Sequence, residues 1–304
     1  MAASNLTTSL HRLVKLMGQA KQKKSRYQQL LGDNPLCCLC GGVTKSSTVD
    51  HIPTQACFPR GFFPEGFEFP ACEACNGSTK KEDQIFGYYM QMGNPDLFTK
   101  DLWSMWRLQD GIKNNYPTAL LNTKLSNQAK AAALAEMGIQ VPADADLSNM
   151  PLAGVPAEFL AAATTIGRKM ACAIYYKEAG GRFLTKKHYI WTATVHSRHP
   201  RASQLTAYIN RMLPKIEVGG RGNIKDYGRR FGYRYGYKEK EDFMISVSQF
   251  GVGFITICTS GILEKGKERI PLEELQTIFP TFEERATAAD AKEKDKSAAA
   301  RRLD

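Results

Sequence analysis

The chain has 304 residues, of which 43% are hydrophobic, 10% aromatic and 23% charged, with a formal net charge of +11 at pH 7. At roughly 100–200 residues per domain, this length excludes a single small module and predicts two domains, or one large domain with appendages. The apolar content is sufficient for packed cores, and no apolar run reaches the roughly 20 residues that cross a bilayer, so we expect a folded cytoplasmic protein without membrane contacts.

Residues 1–32 form a basic N-terminal segment. The stretch from Met1 to Leu31 contains no acidic residue. This composition is typical of a solvated helical arm and, to a lesser degree, of a transit peptide. We expect a basic helical arm.

Six of the eight cysteines fall between Cys37 and Cys75. They include two C-x2-C pairs, Cys37 with Cys40 and Cys72 with Cys75, which are separated by 31 residues. Two such pairs can bring four thiolates to the corners of a tetrahedron around one zinc ion, whereas disulfides would need an oxidising compartment, for which the sequence carries no export signal. We therefore expect a structural zinc site with these four ligands, in which Cys38 could replace a neighbour.

Polar residues near the two cysteine pairs favour a second, hydrolytic site. Asp50 lies ten residues after Cys40 and directly before His51, and Asn76 follows Cys75. An Asp beside a His at the end of a strand can direct one side chain to a hard cation and the other to a water molecule. Asn76 could add a second oxygen ligand. The pattern predicts a one-metal site for phosphodiester hydrolysis, with Asp50, His51 and Asn76 as its catalytic residues.

The sequence around these residues resembles the HNH endonucleases, most closely the bacterial branch with four zinc-binding cysteines. The runs that carry the resemblance are residues 31–42, 47–53 and 69–76. It implies a zinc-stapled ββα-metal finger over residues 33–95, in which a hairpin carries the catalytic His and a helix closes the metal site. It also implies that His51 is the general base and that Asp50 and Asn76 bind a catalytic magnesium or manganese ion. The structural zinc, a separate ion, would be held by Cys37, Cys40, Cys72 and Cys75.

Two positions depart from the family pattern. The central Asn of the family, which orients the loop that carries the His, should lie about nine residues before Asn76, where this chain has Phe67. The third motif position is Asn76, where many members have His. Glu65 and Glu68 are polar candidates for the missing role, or else belong to a solvated loop.

The remainder of the chain predicts helices first and strands afterwards. Residues 96–150 form a helical connector, and residues 285–304 form a charged, Ala-rich tail. Between them, residues 151–284 predict an α+β domain that begins with a long helix from Ala157 to Ala179, ended by two glycines. Its strands are indicated by aromatic and β-branched runs at residues 189–195, 231–237, 243–250 and 252–257. The expected fold class is α+β, with the zinc-stapled finger followed by a helical segment and this C-terminal α+β domain.

Three histidines, His188, His196 and His199, lie in this C-terminal domain. No carboxylate or cysteine accompanies them at ligand spacing, so we expect structural or phosphate-contacting roles rather than a second metal cluster.

Most of the positive charge is concentrated in residues 198–240, which we call the basic stripe. It contains eleven basic and three acidic residues, a net charge of +8, interleaved with tyrosines and a phenylalanine. Cations suit phosphates and flat rings suit bases, so the stripe predicts a nucleic-acid-binding face. The alternative is a solvated, Arg-rich sheet face whose aromatic residues belong to the core. The expected nucleic-acid contacts are Arg221, Arg229, Arg230 and Arg234.

Together these features predict a hydrolase: a metal-dependent HNH endonuclease that cuts nucleic acid, with double-stranded DNA as the expected substrate. One alternative is a non-catalytic, zinc-dependent nucleic-acid-binding protein, for which the missing central Asn is the argument. Another is a nuclease effector controlled by a protein partner or by a second copy of the chain. The intact pair of Asp50 and His51 favours the enzyme, because a finger that only binds needs no aligned ligand and base.

Overall fold

The computed structural model describes residues 24–59, 61–94, 102–120, 125–136, 139–142, 144–150, 155–197, 202, 207, 217–219 and 230–262. The first 23 residues of the predicted arm, the predicted charged tail and most of the basic stripe, including Arg221 and Arg229, lie outside these residues.

The described residues are mixed helix and sheet, so the predicted α+β class is confirmed. Residues 24–33 are helical and are called α1. The other helices are α2 (Glu73–Gly77), α3 (Lys80–Met92), α4 (Leu102–Asn115), α5 (Asn127–Glu136) and α6 (Ala157–Glu178). Short 3-10 turns span Gln55–Cys57, Pro117–Leu120 and Glu239–Glu241. The strands are β1 (Thr48–His51), β2 (Glu68–Ala71), β3 (His188–His196), β4 (Glu217–Gly219), β5 (Phe231–Lys238), β6 (Phe243–Phe250) and β7 (Phe254–Ile262).

The first strands, β1 and β2, form an antiparallel hairpin that leads directly into α2 and α3. Its register pairs Thr48 with Ala71, Asp50 with Phe69 and His51 with Glu68. Side chains alternate between the two faces of a strand, so Thr48 and Asp50 share one face of β1 and His51 lies on the other. This alternation decides the surroundings of each predicted catalytic residue.

The C-terminal strands form one five-stranded antiparallel sheet in the order β3-β7-β6-β5-β4. Helix α6 packs on this sheet with a mostly apolar face, and it ends before Gly180 and Gly181, both at positive φ, as the sequence predicts. A Cβ atom on Gly167 would lie 2.9 Å from the side chain of Thr192, so glycine is required where α6 crosses β3. The predicted strands are confirmed, although β7 begins and ends later than expected.

One hydrophobic core joins the hairpin region, α3, α6 and the sheet. The ring of Phe67, which precedes β2, lies 5.1 Å from that of Phe231 and 5.2 Å from that of Tyr233, both on β5. Phe231 and Tyr233 are the aromatic residues that the sequence placed in the basic stripe, and both are buried. The alternative in which such rings belong to the core is therefore correct for these two residues. No helix in the described part of the chain is long and apolar enough to cross a membrane.

Candidate metal centre and candidate active site

The four predicted zinc ligands lie together. The sulfur atoms of Cys37, Cys40, Cys72 and Cys75 are all within 4.8 Å of one another. Four thiolates around a tetrahedral zinc ion are about 3.8 Å apart, given Zn–S bonds of about 2.3 Å, so this cluster could hold a metal ion such as zinc. Cys38 is not part of the cluster, because its side chain is fully buried in the main hydrophobic core.

Backbone hydrogen bonds set the cysteines before any ion is considered. The N–H of Cys37 donates to Thr44 at 2.9 Å, and the N–H of Gly42 donates to the carbonyl of Cys37 at 3.0 Å, which closes a tight turn. The second pair begins α2, with Cys72 as its N-cap. Burial, together with the neighbouring thiols of Cys72 and Cys37, raises the pKa of the Cys75 thiol. A bound cation would reverse this effect, because a coordinated thiol is deprotonated.

Asp50 is buried and paired with a lysine that no sequence pattern singled out. Its side chain faces α6, where Nζ of Lys169 lies 2.9 Å from Oδ2 of Asp50. The same ammonium donates to Oγ1 of Thr79 at 2.8 Å and lies 3.5 Å from Oδ2 of Asp83. We call Asp50, Thr79, Asp83 and Lys169 the Lys169 cluster. Oδ2 of Asp50 has no aligned hydrogen-bond donor, so its contact with Lys169 is an ion pair and not a directed hydrogen bond.

The Lys169 cluster holds two carboxylates and one ammonium. Burial raises the pKa of Asp83 to about 6, and the negative charge of Asp50 acts in the same direction, while Lys169 and Thr79 oppose it. Oδ1 of Asp83 is also buried without a hydrogen-bond partner. The sequence did carry a signal for Lys169, because this residue lies on the apolar face of α6, between Ile166 and Ala173, where a charge needs a buried partner.

His51 lies on the opposite face of β1, among polar side chains of α1 and β2. Its Nε2 lies 3.1 Å from the hydroxyl of Tyr27 and 3.4 Å from Oε1 of Glu68, and its ring meets that of Phe63 edge-on at 4.9 Å. Glu68 also receives both 2.6 Å contacts from one guanidinium nitrogen of Arg26. Of the two polar candidates named from the sequence, Glu68 is thus the one in contact with His51.

His51 lines a cavity with a volume of about 980 Å³. Aromatic and polar side chains share its wall. They include Arg26, Gln55, Phe58, Phe62, Phe63, Glu65, Glu68, Gln91 and Arg107. The guanidinium of Arg230 stacks over the ring of Phe62 at 4.2 Å, so one predicted nucleic-acid contact lies beside the cavity that His51 lines. Arg234 is exposed on β5.

Asn76 lies in α2, and its side-chain amide donates to Oγ1 of Thr48 at 3.1 Å. Thr48 shares a face of β1 with Asp50, but no hydrogen bond among the described residues joins Asn76 to Asp50. The structure therefore brings Asn76 to the face of β1 that carries Asp50, and it separates both from the surroundings of His51.

Phe67 stands where the resemblance leads one to expect an orienting Asn. Its carbonyl accepts a hydrogen bond from the N–H of Ile52 at 3.1 Å, and its side chain is buried in the core. The backbone of Phe67 thus holds the residue after His51, whereas its side chain serves packing.

His188 has a carboxylate partner that sequence spacing did not reveal. Its Nε2 lies 3.0 Å from Oδ2 of Asp242, and its Nδ1 accepts the backbone N–H of Thr185 at 3.0 Å. Tyr175 and Tyr237 donate to the other oxygen of Asp242. This network ties α6 to the ends of β3 and β5, which is a structural role.

Comparison of the chain with protein-family models, with curated proteins and with solved structures finds no match.

Proposed function

We propose that this protein is a metal-dependent endonuclease of the HNH type that hydrolyses phosphodiester bonds in DNA. The observation that carries the proposal is the position of His51. This residue ends the first strand of a hairpin whose second strand leads into the four-cysteine cluster, and its imidazole lines the cavity of about 980 Å³. A strand–strand–helix unit with a histidine at this point is what the resemblance to the HNH endonucleases implies.

In this proposal His51 is the general base. It accepts the proton of the attacking water, a task that suits histidine because its charge changes near neutral pH. The oxygen of that water forms a bond to phosphorus, and the bond from phosphorus to the leaving oxygen breaks. The four cysteines hold a structural zinc ion, which joins the loop before β1 to the start of α2 and takes no part in the reaction.

Asp50 and Asn76 would hold the catalytic cation, magnesium or manganese. Both side chains offer oxygen donors, the ligand type that these ions prefer. They lie toward the same face of β1, since Asn76 is bonded to Thr48. Such an ion, when bound, stabilises the charge that develops on the phosphate and the leaving oxygen. The donor set fits this role in type and in face, with Lys169 as the cation that already neutralises Asp50.

Charge and ring chemistry support nucleic acid as the substrate. The chain carries a net charge of +11, of which the basic stripe contributes +8. The cavity beside His51 combines arginines with phenylalanine rings, and guanidinium groups and rings are the groups that contact phosphates and bases. Arg230, stacked on Phe62, would extend the contact surface from the cavity toward the exposed Arg234 on β5.

The Lys169 cluster favours a second candidate, a zinc-dependent nucleic-acid-binding protein without catalysis. Lys169 lies 2.9 Å from Asp50, so an internal ammonium occupies one of the oxygens that a catalytic cation would need. In this alternative Asp50 is part of a structural ion pair, and the cavity beside His51 only binds.

Plasmid cleavage separates the two candidates. Purified protein is incubated with supercoiled plasmid and with magnesium or manganese, beside His51→Ala and a control, Tyr176→Phe, which lies outside the cavity. The nuclease predicts nicked or linear product from the wild type and the control. It also predicts a loss of about 10²-fold to 10⁴-fold in His51→Ala, the contribution typical of a general base.

Zinc content and DNA affinity of His51→Ala are measured in parallel and should stay near the wild-type values. Binding of plasmid without any cleavage by the wild type supports the second candidate. A folded His51→Ala protein that cuts as fast as the wild type contradicts the assignment of His51.

A further inference from the structure

We propose that α1 is part of the catalytic centre, and that Tyr27 and Glu68 are positioning residues that hold the ring of His51 with its proton on Nε2. The inference rests on the proposed function in so far as His51 is the base, but it concerns residues that neither the sequence pattern nor the resemblance assigns to the site.

The contacts come from two directions. Glu68 lies directly across the hairpin from His51, and its Oε1 is 3.4 Å from Nε2 of the imidazole. Tyr27 reaches the same two groups from α1, with its hydroxyl 2.9 Å from Oε1 of Glu68 and 3.1 Å from Nε2 of His51. The hydroxyl therefore bridges the carboxylate and the imidazole.

The charge of Glu68 decides the direction of these hydrogen bonds. Arg26 contacts both of its carboxylate oxygens at 2.6 Å, and a carboxylate held in this way by a guanidinium is ionised. An ionised carboxylate only accepts hydrogen bonds. The bond of 2.9 Å between Tyr27 and Glu68 must therefore use the single proton of the Tyr27 hydroxyl.

The remaining contact of that hydroxyl fixes the tautomer of His51. Because the proton of Tyr27 points to Glu68, the hydroxyl oxygen can only accept from Nε2, and Nε2 must carry a hydrogen. Neutral imidazole has one N–H, so the lone pair that takes a proton lies on Nδ1. The relay from Nε2–H through Tyr27 to Glu68 also holds the ring in one orientation on the wall of the cavity.

This arrangement gives α1 a defined task. The composition of residues 1–32 predicts a solvated arm, yet Arg26 and Tyr27 both belong to this segment and both contact the hairpin. Arg26 fixes the charge and the place of Glu68, and Tyr27 transmits that charge to the imidazole.

The test uses the full-length protein with its zinc, and reads the tautomer directly. Long-range proton–nitrogen NMR spectra at about pH 8, where histidine is largely neutral, distinguish a protonated Nε2 from a protonated Nδ1. The chain has five histidines, and the signal of His51 is the one that disappears in His51→Gln. We expect a single tautomer with the proton on Nε2 in the wild type, and a mixture of tautomers in the double variant Tyr27→Phe/Glu68→Leu.

Cleavage kinetics provide the second readout. Tyr27→Phe and Glu68→Gln should each lower kcat about 10-fold to 100-fold, as losses of residues that orient a functional group do, and leave KM unchanged. Tyr176→Phe is the matched control: its hydroxyl also bonds to the finger, at Asn34, but does not contact His51. It should cut like the wild type.

The outcomes separate this inference from the proposed function. A proton on Nδ1 of His51 in the wild type, or an unchanged tautomer in the double variant, overturns the positioning role even if the protein cuts DNA. Equal losses of kcat in Tyr176→Phe and Tyr27→Phe would show a merely structural effect and overturn it as well. A wild type that cuts no DNA refutes the proposed function, while the spectra still decide the role of Tyr27 and Glu68.

Discussion

Replacing Asp83 by Asn should stabilise this protein at neutral pH, although it removes a partner of the buried Lys169. Asp83 and Asp50 share one ammonium, and burial together with Asp50 raises the pKa of Asp83 from 3.8 to about 6. Ionising Asp83 in the folded protein thus costs about 3 kcal/mol more than in the unfolded chain, at about 1.36 kcal/mol for each unit of pKa.

The sign of this effect sets its pH window. For a carboxyl group whose pKa is raised by folding, the penalty is absent below the unfolded pKa of 3.8 and complete above the folded pKa of about 6. Asparagine cannot ionise, so Asp83→Asn avoids the penalty. We expect the free energy of unfolding to rise by about 1–3 kcal/mol at about pH 7.5, and the gain to shrink toward zero at about pH 4.5.

Urea unfolding at these two pH values, with zinc bound and no added magnesium, measures the difference. Glu82→Gln is the matched control, because Glu82 is also an acidic residue in the first turn of α3. It should therefore show only the loss of about 0.3–1 kcal/mol that comes from the helix dipole. A destabilised Asp83→Asn protein at both pH values would refute the reasoning and would show that Asp83 stabilises the cluster as an anion.

The buried ammonium, the zinc ligands and the arginines beside the cavity can each be tested by substitution. Lys169→Met leaves Asp50 and Asp83 without their cation, so it should lower the free energy of unfolding by about 3–5 kcal/mol at neutral pH, whereas Lys177→Met, on an exposed part of α6, should cost far less in the same urea assay. Cys72→Ser should lose bound zinc by elemental analysis and unfold the hairpin region, since a structural zinc ion contributes on the order of 10 kcal/mol to a small module; full zinc content in this variant would contradict the ligand set. Neutralising Arg230 and Arg234 together should weaken DNA binding and flatten its salt dependence by about 0.9 in log–log slope for each phosphate that is no longer neutralised, and an unchanged slope would assign both arginines to the fold.

Features that depend on near neighbours in the chain could be predicted from the sequence. The C-x2-C spacing closes a turn that directs two sulfurs to one point, so two such pairs predicted the four-cysteine cluster that the structure contains. Aromatic and β-branched runs indicated β3, β5, β6 and β7, and a pair of glycines indicated the end of α6. Patterns of this kind are local because turns, strands and helix ends are set by backbone preferences over a few residues.

The partners of the predicted catalytic residues were decided by tertiary structure. Asp50 and His51 are adjacent in the sequence, yet strand alternation gives one of them the buried Lys169 and the other Tyr27 and Glu68. Lys169 reaches Thr79 across 90 positions of the chain, and His188 reaches Asp242 across 54. No local pattern encodes such pairings, because they arise only when α6 packs on the hairpin and on the sheet. The residue types at the candidate site are thus a property of the sequence, and the charges and hydrogen bonds that surround them are a property of the fold.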